Sequence, residues 1–255
     1  MNVDGLLLDI DGVLAVSWQA LPGAIETLAT LRERRLPFRL ITNTTTQTRA
    51  ALSDTLGRAG FDVTPDEIVT AVNATAVFLR AHYPGARTFV LSDGNATRDL
   101  EGVELADVAE ADVIVIGGGC DDFTYATLNR VFRRLMDGAS LIGMHRNLYW
   151  RTGEGLDLDG GAYIAGLEEA AGVTATICGK PAPAFFESAL SLLGVPGERA
   201  AMVGDDIVND VLGAQAAGIG GVLVRTGKFM ESDLQKGEPD HVIDSVADVI
   251  GLLQS

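Results

Sequence analysis

Short, unbroken apolar runs recur along this chain, separated by stretches with helical spacing. Gly5-Leu6-Leu7-Leu8, Phe38-Arg39-Leu40-Ile41, Thr88-Phe89-Val90-Leu91, Val113-Ile114-Val115-Ile116, Ala201-Met202-Val203-Gly204 and Gly221-Val222-Leu223-Val224 read as strands. Runs without polar alternation are what strands buried on both faces require. Between them, residues 23–35, about 47–59, about 123–137, about 162–171 and the stretch up to about 217 carry helical periodicity. Thr64-Pro65-Asp66-Glu67 signals a helix start: an N-cap Thr, Pro in the first turn and an acid three residues on. This alternation predicts an α/β protein with a doubly wound, largely parallel sheet. The pattern restarts near residue 77 and returns to the first set of strands near 178. Residues 1–76 and 178–255 therefore read as one core domain, and 77–177 as an α/β domain inserted into it.

Composition narrows the function. The chain has 255 residues, 47% apolar and 21% charged, enough to bury an ordinary core. No stretch approaches the roughly 18 apolar residues of a membrane helix, and Met1-Asn2-Val3-Asp4 begins no secretory leader. The expectation is a cytoplasmic protein without a membrane partner. Two cysteines, Cys120 and Cys178, are too few for a disulfide framework and read as inert thiols. A net charge of −16 argues against nucleic acid, whose phosphates demand clustered Lys and Arg. An acidic protein that handles a small phosphate must also overcome its own field locally, with a metal ion, a positioned Lys or helix N-termini.

The candidate chemistry sits at strand ends, where open parallel sheets gather their ligands. One strand ends at Asp9 and Asp11, a second at Thr42 and Asn43, a third at Asp205 and Asp206, with Asp210 a turn further along. Lys180 follows a short apolar stretch and precedes a helix starting near Pro183. Carboxylates without a His or Cys ligand set suit a hard, oxygen-seeking ion such as Mg²⁺. Such an ion lets an anionic carboxylate approach an anionic phosphate. The carboxylate can then serve as a covalent nucleophile, while a hydroxyl and an ammonium steady the phosphoryl oxygens.

Leu8-Asp9-Ile10-Asp11-Gly12-Val13-Leu14, Ile41-Thr42-Asn43, Gly179-Lys180-Pro181 and Gly204-Asp205-Asp206-Ile207-Val208-Asn209-Asp210 resemble, in order, the four motifs of the haloacid dehalogenase superfamily. The long gap between the second and third motifs resembles subfamily IIA, whose large cap is inserted there. Gly155-Leu156-Asp157-Leu158-Asp159-Gly160-Gly161 and Val224-Arg225-Thr226-Gly227-Lys228 resemble the branch of phospholysine phosphohistidine inorganic pyrophosphate phosphatases. The resemblance implies a Rossmann-like core and a Mg²⁺-dependent phosphatase acting on a small phosphorylated substrate. It makes Asp9 the nucleophile and a metal ligand. Asp11 becomes the general acid and base, its carbonyl also on the metal. Thr42 and Asn43 would bind phosphoryl oxygens, Lys180 would neutralise Asp9 and the phosphate, and Asp205 would be the second carboxylate on Mg²⁺. Asp206 and Asp210 would support the metal site from behind. As in relatives, the cap could offer a homodimer surface, and residues near 145–163 are the candidates for contact with the variable part of the substrate.

Plainer readings compete. A lone acid at a strand end is more often a turn or helix cap than a catalyst, and Asp206 is evenly poised because helix N-termini attract Asp. Gly117-Gly118-Gly119 fails the dinucleotide fingerprint at Asp122 and reads as a tight turn. His82, His145 and His241 are too scattered for a metal, though His145 could face a substrate; Tyr149 and Trp150 read as packing residues. Among functions, a phosphotransferase would use the same aspartyl-phosphate. A phospho-aspartate signalling module would lack the Asp9-x-Asp11 pair and need about half the length.

Overall fold

A computed structural model describes residues 1–151 and 156–253. The chain forms two compact units, one of Met1–Thr42, Arg49–Val69 and Lys180–Ser255, the other of Asn43–Thr48 and Thr70–Gly179. Residues 43–48 and 70–76 thus group with the second unit rather than with the first.

The first unit is built on a parallel sheet. Its strands run in the order His241–Ile243, Gly220–Val224, Ala200–Gly204, Gly5–Asp9, Phe38–Thr42, Ile68–Thr70. Numbered along the chain, this is the 3-2-1-4-5-6 arrangement of a doubly wound fold. Gly5–Asp9 is central, pairing in parallel with both Ala200–Gly204 and Phe38–Thr42. Leu6, Leu7 and Leu8 are wholly buried, as their unbroken apolar run requires. Among the described residues, the core of this unit joins Leu6 and Leu8 with Leu28 and Leu31 of the Ala24–Glu33 helix and Leu52 and Leu56 of the Arg49–Arg58 helix. The strand order reverses between Gly5–Asp9 and Ala200–Gly204, so Asp9 and Asp205 emerge at the switch point where such sheets bind ligands.

The second unit carries a parallel sheet of its own, ordered Thr176–Ile177, Ser140–Gly143, Val113–Ile116, Arg87–Leu91, Glu104–Leu105. Ala71–His82, Tyr125–Met136 and Gly160–Ala171 are its helices. A small antiparallel hairpin pairs Tyr149–Arg151 with Leu156–Leu158. Among the described residues, no helix is long and apolar enough to cross a membrane.

Three sequence expectations change. Thr64-Pro65-Asp66-Glu67 starts only one 3₁₀ turn, Pro65–Glu67, although its capping box forms, with the Thr64 N–H donating to Glu67 Oε2 at 2.8 Å. The next residues, Ile68-Val69-Thr70, are β-branched and extend as a strand, and the helix begins at Ala71 instead. The helix expected to follow Asp205 opens as a π-helix, Ile207–Leu212, before the short α-helix Gly213–Ala216. Tyr149 is 61% exposed and does not pack in a core. The side chain of Trp150 and residues 152–155 of the expected substrate segment lie outside the described residues.

Candidate active site

Three strand ends of the first unit and the segment before its Pro183–Leu193 helix supply the candidate site. Asp9 closes the Gly5–Asp9 strand, Thr42 closes Phe38–Thr42, and Asp205 follows Ala200–Gly204. Lys180 lies just before the Pro183–Leu193 helix. Asp9, Thr42, Lys180, Asp205 and Asp210 are all buried. Lys180 Nζ donates to Asp9 Oδ1 at 2.6 Å and to Asp210 Oδ1 at 2.7 Å, tying the first motif to the fourth. A Cβ on Gly204 would lie 2.2 Å from the Asp210 Cβ, so the glycine before Asp205 gives Asp210 its room.

The electrostatics are lopsided. Asp9, Asp205 and Asp210 present ligand oxygens within 4.8 Å of one another, with one ammonium between two of them. Burial and the neighbouring Asp210 carboxylate, opposed by Lys180, push the Asp9 carboxyl up to about 7. Burial likewise lifts Asp205 to about 6. Burial works against the Lys180 charge, but Asp210 and Asp9 outweigh it and hold the ammonium above its usual range. Fully ionised, this buried cluster has more negative than positive charge, a condition that a proton on one carboxylate or a bound cation relieves.

The acids divide by what their oxygens do. Asp210 is engaged at both: Oδ1 accepts from Lys180 and Oδ2 from the Asp206 backbone N–H at 3.1 Å. Asp205 Oδ2 accepts from the Lys228 backbone N–H at 2.6 Å, while its Oδ1 is buried with no hydrogen-bond partner among the described residues. An all-oxygen donor set with one open buried carboxylate oxygen fits a hard divalent cation. Asp9 and Asp205 are the residues that would hold it.

The remaining predicted residues take distinct places. The Asp206 carboxylate caps the π-helix, with Oδ1 accepting from the Val208 and Asn209 N–H groups at 3.0 and 2.9 Å and Oδ2 from Asn209 Nδ2 at 2.7 Å. Burial raises its carboxyl, but those bonds outweigh it and hold the group below its usual range. Its side chain serves the helix, and only its backbone N–H reaches Asp210. Asp11 is exposed, on a turn where Gly12 N–H donates to Ala15 O at 2.8 Å. Asn43 belongs to the second unit and is half-buried. Lys228 is the contributor the motif reading passed over; the sign was a glycine-containing Thr226-Gly227-Lys228 turn at the carboxyl end of a buried strand.

In the second unit, the three glycines form a pinned turn. Gly118 N–H donates to Ser92 Oγ at 3.1 Å, and Gly119 N–H to Asp159 Oδ1 at 3.0 Å. His145 is buried, its Nδ1 accepts from the Asn147 N–H at 3.2 Å, and its Nε2 lies 3.7 Å from Asp159 Oδ1. Burial, opposed by Asp159, pulls its imidazole below the usual range. Cys178 is wholly buried and its thiol is pushed up to about 12 by burial, which keeps it unreactive.

Comparison with known proteins then decides the family. The model described as haloacid dehalogenase-like hydrolase matches residues 6–106, and a second model of HAD-like hydrolases matches 177–249. Human haloacid dehalogenase-like hydrolase domain-containing protein 2 is 38% identical over 234 residues, 92% of this chain and 88% of that one. The chain belongs to the haloacid dehalogenase-like hydrolases. It is a phosphatase of that family, of the subfamily IIA type, with an inserted α/β cap. Human phospholysine phosphohistidine inorganic pyrophosphate phosphatase is 37% identical over 260 residues, 99% of this chain and 94% of that one. Among solved structures, the p-nitrophenyl phosphatase from Archaeoglobus fulgidus superposes with a TM-score of 0.89 at 28% identity, covering 99% of this chain and all of that one. NagD from E. coli K-12 gives 0.88 at 28% identity, covering 97% and 98%.

Proposed function

We propose that this phosphatase hydrolyses a small phosphorylated compound with Mg²⁺, through a phospho-aspartate on Asp9. The observation that carries the reading is the buried Asp9–Lys180–Asp210 bridge beside the open Asp205 oxygen. Residues 1–76 and 178–255 are read as the hydrolase core and 77–177 as the cap that selects among substrates. Bound Mg²⁺ would supply the positive charge that lets an anionic nucleophile and an anionic phosphate meet.

The chain's own groups account for the rest. The Asp9 carboxylate attacks phosphorus as the bond to the leaving group breaks, and Asp11 gives its proton to the departing oxygen or nitrogen. Water then attacks the phosphoryl group, Asp11 takes a proton from it, and inorganic phosphate leaves with Asp9 restored. Asp11 suits a group that must meet both solvent and leaving group because it is exposed, unlike buried Asp9. Lys180 holds one Asp9 oxygen and balances charge on the transferring group. Thr42 and Asn43 are proposed to orient the phosphoryl oxygens.

The test is phosphate release from a panel of phosphomonoesters, phosphoramidates and pyrophosphate, with Mg²⁺ or with EDTA. Wild type should release phosphate only with Mg²⁺, and a folded Asp9→Asn should lose at least about a thousandfold. Full activity in Asp9→Asn would show that the nucleophile is wrong. Phosphate appearing on an added alcohol in place of free phosphate would make the protein a phosphotransferase.

A further inference from the structure

The turn after the Gly220–Val224 strand meets both metal-site motifs of the first unit. Lys228 N–H donates to Asp205 Oδ2 at 2.6 Å. One residue earlier, a Cβ on Gly227 would lie 2.0 Å from that same oxygen. From the other side a Cβ on Gly12 would also lie 2.0 Å from it, and 2.9 Å from the Gly227 Cα. Gly12 and Gly227 have φ of +86° and +64°, which side chains disfavour in any case. The Thr226 hydroxyl donates to the Gly12 carbonyl oxygen. The turn is itself anchored, Arg225 N–H to Ile243 O at 3.0 Å and Phe229 N–H to Thr226 O at 3.3 Å.

We infer that Thr226-Gly227-Lys228 is a positioning element that presents Asp205 to the cation and holds the Gly12 peptide in the same frame. The two glycines let backbone close on both sides of Oδ2, and the Lys228 N–H fastens that oxygen. Carboxylate rotation is thereby stopped with Oδ2 held, which leaves Oδ1 as the buried oxygen with no hydrogen-bond partner among the described residues. Leaving a buried acceptor unmade costs free energy unless a ligand completes it. Thr226 adds a second constraint, because the peptide it holds directly follows the Asp9-Ile10-Asp11 segment. In this reading the three residues act through Asp205 and the loop of the first motif rather than on the phosphate itself. The inference rests on the reading of Asp205 as a metal ligand.

Direct titration with Mn²⁺, followed by the electron paramagnetic resonance of the free ion, separates positioning from a structural link between two loops. Thr226→Val keeps the shape and removes the donor; it should weaken Mn²⁺ binding roughly tenfold, and Gly227→Ala by roughly ten- to a hundredfold. Thr226→Ser keeps the hydroxyl and should bind like wild type. With saturating metal, KM for p-nitrophenyl phosphate should stay unchanged in Thr226→Val, because the substrate's own contacts are intact. Wild-type Mn²⁺ affinity in folded Thr226→Val and Gly227→Ala would overturn the inference; if Gly227→Ala does not fold, the Thr226→Val and Thr226→Ser pair decides it. Asp205→Asn is the reference: tight Mn²⁺ binding there would overturn the underlying metal reading instead.

Discussion

Lys180 shows how little a single residue type means until its neighbours are known. An ammonium buried alone would shed its proton, but between Asp9 and Asp210 it is held charged more firmly than in water. The carboxylates are on the losing side of that arrangement. Asp9 rises from 3.8 to about 7 on folding, so between those values the folded state binds a proton that the unfolded state has lost. Stability of the metal-free protein must then fall as pH rises through that window. In EDTA, Asp9→Asn should gain on wild type in urea melts as pH climbs from about 4 to 7. A gap between the two that stays flat across the range would show that the Asp9 carboxyl is not raised.

At the scale of elements, the fourth motif divides its labour between neighbouring acids. Sequence left Asp206 evenly poised between site and cap, and its geometry settles on the helix: three bonds tie its carboxylate to the start of Ile207–Leu212. Asp206→Ala should cost about 1–2 kcal/mol in urea unfolding, with Asp206→Asn recovering most of it. Equal stability of all three proteins would refute the capping role. The same scale exposes where local signals mislead. Thr64 and Glu67 make a proper capping box, yet only one turn follows, because a stretch of β-branched residues can extend at the edge of a sheet. The strands Glu104–Leu105 and His241–Ile243 escaped the sequence reading because runs of two or three residues carry too little pattern to stand out from loops.

For the molecule as a whole, the buried carboxylates of the cluster come from positions 9, 205 and 210 and meet within 4.8 Å only once the sheet has formed, which brings the candidate ligands Asp9 and Asp205 together. A metal that needs this cluster binds the folded chain and not the unfolded one. Mg²⁺ at a hundred times its Kd should therefore stabilise the protein by about 2.7 kcal/mol. Thermal melts in Mg²⁺ and in EDTA measure this directly, and the gain should vanish in Asp205→Asn. A Tm in wild type that ignores Mg²⁺ would place the cation elsewhere.

The fold class and the residues of the candidate site were legible in the chain itself. Buried parallel strands must be apolar throughout, so Leu6-Leu7-Leu8, Val113–Ile116 and Val222–Val224 declared themselves, and the acids of the first and fourth motifs stood directly after Leu8 and Gly204. Those are local properties, set by period and by neighbours within a few residues. The burial that raises the Asp9 carboxyl, the hydrogen bonds that occupy both Asp210 oxygens but only one of Asp205, and the closure of Thr226-Gly227-Lys228 on Asp205 came only with the tertiary structure. Each depends on burial and on hydrogen bonds between residues far apart in sequence, such as Lys228 with Asp205 and Thr226 with Gly12, and no local pattern encodes which distant backbone will close around a carboxylate.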